Sequence, residues 1–266
     1  MGYRPMKPRH SNQQLVRVPA RIDPSGELRG YLRMAAVGDG LAGGSSTAWA
    51  PLLARAARRQ HDVSFHSVAR PRATAGWVIL EQLADVLAHR PHVVVLAVGT
   101  YDVRSTAWDP DTFGREILTV GDALAGTGAL LVLTRLAPLA GHPVRVGAAN
   151  AALDALHERH GGVVVDLEHH PGARDAEFWS EPGSRLSELG QLALLHEAAA
   201  LLSCHGLLVD TDSLEGPAGS GGARRDLRNG LGSSHHVSTM TTVTNYEQGR
   251  SATPLPFWPL GKVTPS

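Results

Sequence analysis

Short apolar runs alternate with longer amphipathic segments through the middle of the chain. The runs are rich in Val and Leu, show no polar alternation, and lie at 33–37, 63–68, 92–98, 129–134 and 163–166. Strands buried on both faces of a parallel sheet have this pattern. Segments with helical spacing lie between and after them, at 47–59, 74–88, 112–124, 144–159 and 186–202. Five such strand–helix units with short connections predict a doubly wound α/β domain.

The two ends of the chain lack this pattern. Residues 1–32 show no sustained period, and residues 211–266 are rich in Gly, Ser, Thr and Pro. We therefore predict a basic, flexible arm over 1–32, a folded domain over 33–210, and a disordered tail over 211–266. A few apolar residues in the ends are candidates for docking on the core or on a partner. They are Leu15, Val16, Val18, Phe257 and Trp258.

Composition excludes several classes of protein. Lys plus Arg and Asp plus Glu are both 25, so the net charge is zero, which argues against a general nucleic-acid binder. No apolar run approaches the ~20 residues of a membrane-spanning helix. The basic N-terminus has no apolar stretch behind it, and the single cysteine, Cys204, cannot form an internal disulfide. Together these features predict a cytoplasmic protein.

The zero net charge conceals an uneven distribution. Residues 1–32 carry six basic and two acidic groups, a net charge of +4. Residues 33–210 carry 14 basic and 19 acidic groups, and residues 211–266 carry five and four. The predicted domain is therefore acidic and the arm that precedes it is basic.

Three motifs fall where such domains place their sites, at the carboxyl ends of the strands. GDGLAGG follows the first strand at 38–44, GTYDV follows the third at 99–103, and FWSEPGSRLSELG precedes the last helix at 178–190. Together and in this order they resemble the GDSL, or SGNH, esterase/lipase family, especially its bacterial branch. The resemblance covers about residues 32–203. It implies the SGNH-hydrolase fold, a flavodoxin-like three-layer α/β/α sandwich with a five-stranded parallel sheet.

The family's chemistry requires residues that this sequence lacks at the matching positions. The resemblance puts Gly40 in place of the serine nucleophile, and Arg72 and Tyr101 in place of the glycine and asparagine that bind the oxyanion. It puts Arg185 in place of the histidine base and Pro182 in place of the aspartate that orients it. Glycine offers no nucleophile, and arginine stays protonated at any usable pH. The surrounding framework, including Asp39, Thr100 and Asp102, is retained.

Loss of these groups on a retained framework predicts a pseudoenzyme that binds a ligand or a protein. The ligand would be a small anionic or acyl molecule in the former cleft, and the protein partner an active paralogue. Candidate ligand-binding residues are Asp39, Gly40, Arg72, Thr100, Tyr101, Asp102 and Arg185. The alternative is an esterase, acylhydrolase or acyltransferase that acts on small esters through non-standard residues. The resemblance implies no cofactor and no metal.

Arg72 and Arg185 support two further hypotheses. Guanidinium groups on the rim of one cleft would form a site for a carboxylate or a phosphate. Alternatively, Asp39 and Asp102 neutralise the two arginines in structural ion pairs. Tyr101 would either donate a hydrogen bond to an oxyanion or fill the vacated cleft with its ring.

Other residues with catalytic or ligand chemistry have simpler explanations. Ser45 and Ser46 are candidate N-caps of the first helix, and Cys204 is expected to fill a small apolar space. Two histidine pairs remain candidates for a base and for metal ligands. His169 and His170, close to Asp166 and Glu168, follow the last strand, and His157 and His160 share a helix face. A third pair, His235 and His236, lies in the predicted tail.

Overall fold

The computed structural model describes residues 15–16, 18–22 and 28–211. Its central sheet contains five parallel strands in the order β3-β2-β4-β5-β6. These strands are β2 (Leu28–Gly38), β3 (His61–Ser67), β4 (Val93–Ala97), β5 (Leu130–Arg135) and β6 (Val163–Asp166). All five overlap the apolar runs, which confirms the predicted parallel sheet. The strand order is that of flavodoxin-like folds, whose switch point lies between the first and third parallel strands.

The sheet begins earlier in the chain than the apolar pattern indicates. β1 (Ala20–Ile22) pairs antiparallel with the first residues of β2, and β2 itself starts at Leu28. Val16 and Val18 pack against the core, and the Val16 N–H donates to the carbonyl of His205. The predicted arm over 1–32 therefore contains paired strand. A strand of three residues, such as Ala-Arg-Ile in β1, is too short to show a run of apolar residues.

Helices cover both faces of the sheet, which confirms the three-layer arrangement. One face packs against α1 (Trp49–Ala57) and α7 (Glu188–Ser203). The other packs against α2 (Ala75–Glu81), α3 (Leu83–His89), α5 (Pro110–Ala125) and α6 (Pro143–His160). Successive residues of β4 alternate between the two cores: Val93 and Val95 contact one, Val94 and Leu96 the other. A short helix, α4 (Thr100–Arg104), follows β4.

Two sequence expectations about helix ends are wrong. The helix predicted over 74–88 is two helices, α2 and α3, that meet at Gln82. Ser45 and Ser46 do not cap α1, which starts after Ala48 without a side-chain cap. Instead, the Trp49 N–H donates to Oε1 of Gln191 in α7 (2.7 Å), so a distant residue replaces the local cap.

The end of the domain contains a small hairpin and the last helix. The hairpin strands are β7 (Trp179–Glu181) and β8 (Arg185–Leu186), and two single 3₁₀ turns, Pro171–Arg174 and Ala176–Phe178, precede them. The Ser187 hydroxyl caps α7 by accepting from the Gly190 N–H (3.2 Å). Across the described part of the chain, no helix is both long enough and apolar enough to cross a bilayer. Most of the predicted tail, from residue 212 onward, lies outside the described residues.

Candidate functional site

The switch point of the sheet lies between β2 and β4, and the first motif turns there. Gly38 ends β2 at φ 115°, and a Cβ at this position would lie 1.9 Å from the carbonyl oxygen of Ala97. The chain then turns because the Asp39 N–H donates to that same carbonyl (2.7 Å). Asp39 is buried, and its Oδ1 accepts from the Leu41 N–H (2.8 Å). This turn requires glycine at position 38, and the side chain of Asp39 stabilises it through the hydrogen bond from Leu41.

Gly40 is half-buried at the tip of this turn, where packing leaves room for a side chain. A Cβ on Gly40 would meet Cα of Pro71 at 3.6 Å, an ordinary van der Waals contact, and its φ is not in the left-handed region. Glycine is therefore not imposed at position 40 by the backbone or by the neighbours. A serine would fit there without strain.

Arg72 follows β3 and adopts a backbone conformation that favours glycine. Its φ is 68°, in the left-handed region that costs roughly 1–2 kcal/mol for a residue with a Cβ. The loop around it is held from both sides: the Arg70 N–H donates to the Gly38 carbonyl, and the Ala73 N–H donates to the Arg70 carbonyl. The Arg72 side chain is exposed. The backbone of this loop favours glycine at position 72, whereas Arg72 adds a cation at the carboxyl edge of the sheet.

Most of the second motif, GTYDV at 99–103, lies on α4. Thr100 and Asp102 are buried, and Oδ1 of Asp102 accepts from the Ala75 N–H at the start of α2 (3.0 Å). Tyr101 is half-buried, with the guanidinium carbon of Arg104 5.9 Å from its ring centroid. Asp102 therefore ties the β4 loop to the β3 loop, while Tyr101 faces a cation.

Pro182 and Arg185 lie in and after the turn of the β7–β8 hairpin, and both are exposed. Gly183 has φ 66°, and a Cβ there would lie 2.3 Å from Cδ2 of Leu139, so the turn packs tightly on the β5–α6 loop. Nη2 of Arg104 donates to the Pro182 carbonyl (3.3 Å). Arg104, which the sequence reasoning missed, thus joins the Tyr101 loop to this hairpin. Its position three residues after Tyr101 on a helix was the available signal.

Two buried carboxyls, those of Asp39 and Asp102, lie at this edge of the sheet. Burial raises the pKa of Asp39 to about 7, against the opposing influence of the Leu41 N–H and the Thr100 hydroxyl. Burial likewise raises the pKa of Asp102 to about 6, against the hydrogen bond from Ala75. Oδ2 of each has no hydrogen-bond partner among the described residues. Both groups therefore take up a proton far more readily than an exposed aspartate.

The ion pairs expected between these aspartates and the two arginines do not form. Asp39 and Asp102 are buried against backbone N–H groups, and the cation that acts on Asp39 is Arg104. Within the described part of the chain, Arg72 and Arg185 make no ion pair. The aspartates point inward from their turns while the arginines stay in solvent, so the two sets do not meet. Three exposed arginines at this edge therefore have no ion-pair partner among the described residues: Arg70 and Arg72 in one loop, and Arg185 in the hairpin. We refer to these three residues as the rim.

The loop after β6 holds the two candidate bases in different environments. His169 is 69% exposed, and its Nδ1 lies 2.9 Å from Oδ2 of Asp166. His170 is buried against Phe178, and its Nδ1 accepts from the Gly172 N–H (3.0 Å). Burial lowers the pKa of His170. His169 thus has the geometry of an oriented base, whereas His170 has a structural role.

Glu197 of α7 is a half-buried carboxylate that sequence reasoning missed. Its Oε1 accepts from the Asp166 N–H (3.2 Å), and its Oε2 lies 3.8 Å from Nε2 of His170. Burial raises the pKa of Glu197 to about 7. A glutamate on an apolar helix face was the only sequence signal for this pair.

The group Asp166, Glu168 and His169 has ligand atoms close enough to hold a metal ion. Arg135, however, already provides a cation there. Its guanidinium lies 2.7 Å from Oε2 of Glu168 and 3.4 Å from Oδ2 of Asp166. Both carboxylates of this group are therefore already engaged by one guanidinium, which also contacts Asp154 (3.3 Å).

The remaining candidates are placed elsewhere. His160 pairs with Asp122 of α5 rather than with His157, so the two histidines do not form a metal pair. Cys204 is exposed at the end of α7, which contradicts its expected role as an apolar filler. Cys204 follows Ser203, the last residue of α7, and both are exposed. His235, His236, Phe257 and Trp258 lie outside the described residues.

Comparison with known proteins agrees with the fold and the motifs. The profile of the GDSL-like lipase/acylhydrolase family matches residues 34–196. No curated protein sequence matches the chain.

Several solved structures share the fold. The psychrotrophic esterase EstA from Pseudoalteromonas sp. is 13% identical, with 64% of this chain and 96% of that chain covered and a TM-score of 0.54. The lipase/acylhydrolase from Enterococcus faecalis is 17% identical, with 66% and 96% covered and a TM-score of 0.55. A catalytic mutant of an acetylxylan esterase from Geobacillus stearothermophilus is 11% identical, with 64% and 94% covered and a TM-score of 0.56. With its sheet order, its motifs at the strand ends and a family match over more than half its length, the chain belongs to the GDSL-like lipase/acylhydrolase family.

Proposed function

We propose that this protein is a non-catalytic member of its family that binds a small anionic or acyl ligand at the carboxyl edge of the sheet. One observation carries the proposal: this rim presents exposed arginines without ion-pair partners among the described residues, at positions where the family resemblance expects catalytic groups. A guanidinium binds carboxylates and phosphates through several parallel hydrogen bonds. The same group cannot accept a proton from a nucleophile.

The absence of catalysis rests on the chemistry of Gly40 and Arg185. Gly40 has room for a side chain, so the missing hydroxyl is not enforced by packing. We expect Gly40→Ser alone to leave ester hydrolysis at background, because Arg185 provides no base. A partner protein, including an active paralogue, would use the same exposed rim.

The binding proposal is tested on the full-length protein by thermal unfolding with short-chain fatty acids and with phosphate esters. We expect at least one of these anions to raise the Tm, and expect Arg72→Ala combined with Arg185→Ala to remove that increase. Arg55→Ala, which removes an exposed arginine in the last turn of α1, is the matched control. If no anion raises the Tm, or if the double variant responds like the control, ligand binding at this rim is refuted.

A second function is favoured by one specific geometry. His169 is exposed and oriented by Asp166 at 2.9 Å, which is the arrangement of an activated base. The alternative is therefore an esterase, acylhydrolase or acyltransferase that works through non-standard residues. Hydrolysis of a chromogenic short-chain ester, well above background and lost in His169→Ala, would favour it over the binding proposal.

A further inference from the structure

A cavity of about 300 Å³ opens at the amino-terminal edge of the sheet, opposite the rim described above. The cavity is lined by Arg33 of β2, the end of α3, the two residues before β4, and the loop between α5 and β5. Five residues of extended strand separate Arg33 from Gly38, which is about 16 Å at ~3.3 Å per residue. The cavity is therefore a different site from the carboxyl edge.

The lining carries positive charge and no acidic residue. Its residues are Arg33, Leu87, Arg90, Pro91, His92, Thr127 and Gly128. Nε of Arg33 donates to the carbonyl of Arg90 (2.6 Å), and its guanidinium carbon lies 5.7 Å from the ring centroid of Tyr31. These contacts fix the guanidinium and leave its two Nη groups without a hydrogen-bond partner among the described residues. Neither Arg33 nor Arg90 makes an ion pair with any residue that the structure describes. The cavity wall thus carries two positive charges without an acidic partner among the described residues: the Arg33 guanidinium, which is fixed by its bond to the Arg90 carbonyl, and the exposed guanidinium of Arg90.

His92 adds a neutral donor to this wall. Its Nδ1 accepts from the Arg33 N–H (3.2 Å), so the ring proton is on Nε2. Burial, and then the charge of Arg33, lower the pKa of His92, so the ring keeps this tautomer at neutral pH. Leu87 and Pro91 provide the apolar part of the lining.

Arg90 occupies a backbone position that a glycine would fill at lower cost. It ends α3 in the left-handed region at φ 48°, where glycine is the usual residue. Its side chain is exposed, so no buried contact in the described structure requires an arginine here. The dipole of α3 favours a cation at this end of the helix, and the same guanidinium lines the cavity.

We propose that this cavity is a second binding site, specific for a small organic dianion, a phosphate monoester whose phosphate lies between Arg33 and Arg90. A phosphate monoester carries close to two negative charges at neutral pH, which matches two guanidinium groups. His92 donates a further hydrogen bond, and Leu87 and Pro91 contact the organic part. A volume of about 300 Å³ is at the small end of ligand sites, which excludes large ligands.

The experiment is isothermal titration calorimetry of the full-length protein with phenyl phosphate, with inorganic phosphate and with phenol. We expect phenyl phosphate to bind more tightly than inorganic phosphate, and phenol not to bind. Arg33→Gln and Arg90→Gly should each weaken phenyl phosphate at least ten-fold, while Arg55→Gln, the matched loss of an exposed charge, should leave it unchanged. Arg90→Gly is informative because glycine suits φ 48°, so its Tm should not fall.

The outcomes separate this site from the proposed ligand rim. Phosphate binding that survives Arg33→Gln and Arg90→Gly but is lost in the Arg72→Ala and Arg185→Ala double variant would assign the anion to the carboxyl edge and overturn the inference. Absence of binding by the unmodified protein at millimolar phenyl phosphate would also overturn it. Loss in Arg33→Gln and Arg90→Gly alone supports the second site, whatever the result at the rim.

Discussion

At the scale of single residues, two arginines hold backbone angles that favour glycine. Among the described residues, Arg72 and Arg90 are the non-glycine positions with positive φ, and they lie at opposite edges of the sheet. Both side chains are exposed. Each residue therefore carries backbone strain that no buried contact offsets, and each adds a cation beside a candidate ligand site.

The strain at Arg72 gives a prediction about stability. Replacing a left-handed residue by glycine removes roughly 1–2 kcal/mol of strain, from which the greater freedom of glycine in the unfolded chain subtracts a part. We expect Arg72→Gly to raise the free energy of unfolding by up to about 1 kcal/mol, measured by urea denaturation. Arg70→Gly, in the same loop but without positive φ, should lower it by about 0.5–1 kcal/mol. A loss of stability in both variants would show that Arg72 is held by contacts rather than strained.

At the scale of elements, the buried side chain of Gln82 connects α2 and α3 to the turn at Gly38. Gln82 sits between α2 and α3, and its Oε1 accepts from the Gly38 N–H (2.7 Å) while its Nε2 donates to the Gly38 carbonyl (2.9 Å). It thus pairs with Gly38 as a neighbouring strand would. The interruption of the predicted helix at this residue follows from that role.

Removing this amide should uncouple the turn from the helices. Gln82→Leu leaves the Gly38 N–H buried without a partner, whereas the Gly38 carbonyl keeps the Arg70 N–H. We therefore expect a loss of about 1–3 kcal/mol in the free energy of unfolding. Gln60 provides the control, because its side-chain hydrogen bond, from the Asp210 N–H (3.3 Å), is exposed to solvent. Gln60→Leu should therefore cost less than about 1 kcal/mol, clearly below the effect of Gln82→Leu. Chemical denaturation of the two variants measures both values. Equal effects would contradict a bridging role for Gln82.

At the scale of the whole molecule, buried carboxyls make stability depend on pH. The pKa values of Asp39 and Glu197 are both raised to about 7 by burial. Between about pH 4 and pH 7 the folded protein then holds protons that the unfolded chain has released. The contribution of these groups to stability is therefore largest at low pH and falls as the pH rises through this window.

Neutral replacements isolate this effect from the histidines, whose lowered pKa values act in the opposite direction below about pH 6.5. We expect Asp39→Asn to gain stability relative to the unmodified protein as the pH rises from 4 to 7, by up to about 4 kcal/mol, and to gain nothing more above pH 8. Glu197→Gln should follow the same course with a smaller amplitude, because its side chain is 22% exposed. Unfolding curves at several pH values test this, and a difference independent of pH would contradict it.

Sequence patterns by themselves determined the architecture of this protein. Five apolar runs matched the five parallel strands, because a strand buried on both faces needs apolar residues at successive positions. The first motif located the turn at the carboxyl edge of the sheet, because glycine at 38 is required by the close approach of Ala97 and Asp39 accepts from the Leu41 N–H. Residue identity at Gly40 and Arg185 also determined which chemistry these positions lack.

Only the tertiary structure decided how the polar groups are paired. Three contacts join distant parts of the chain: Gln191 accepts from the first N–H of α1, Arg104 donates to the Pro182 carbonyl, and Arg33 donates to the Arg90 carbonyl at the end of α3. Hydrophobic periodicity reports which face of an element is buried, but it contains no information about which polar side chains meet across elements. For this reason the hypothesis that Asp39 and Asp102 form ion pairs with Arg72 and Arg185 was wrong. The amino-edge cavity, for the same reason, became visible only in three dimensions.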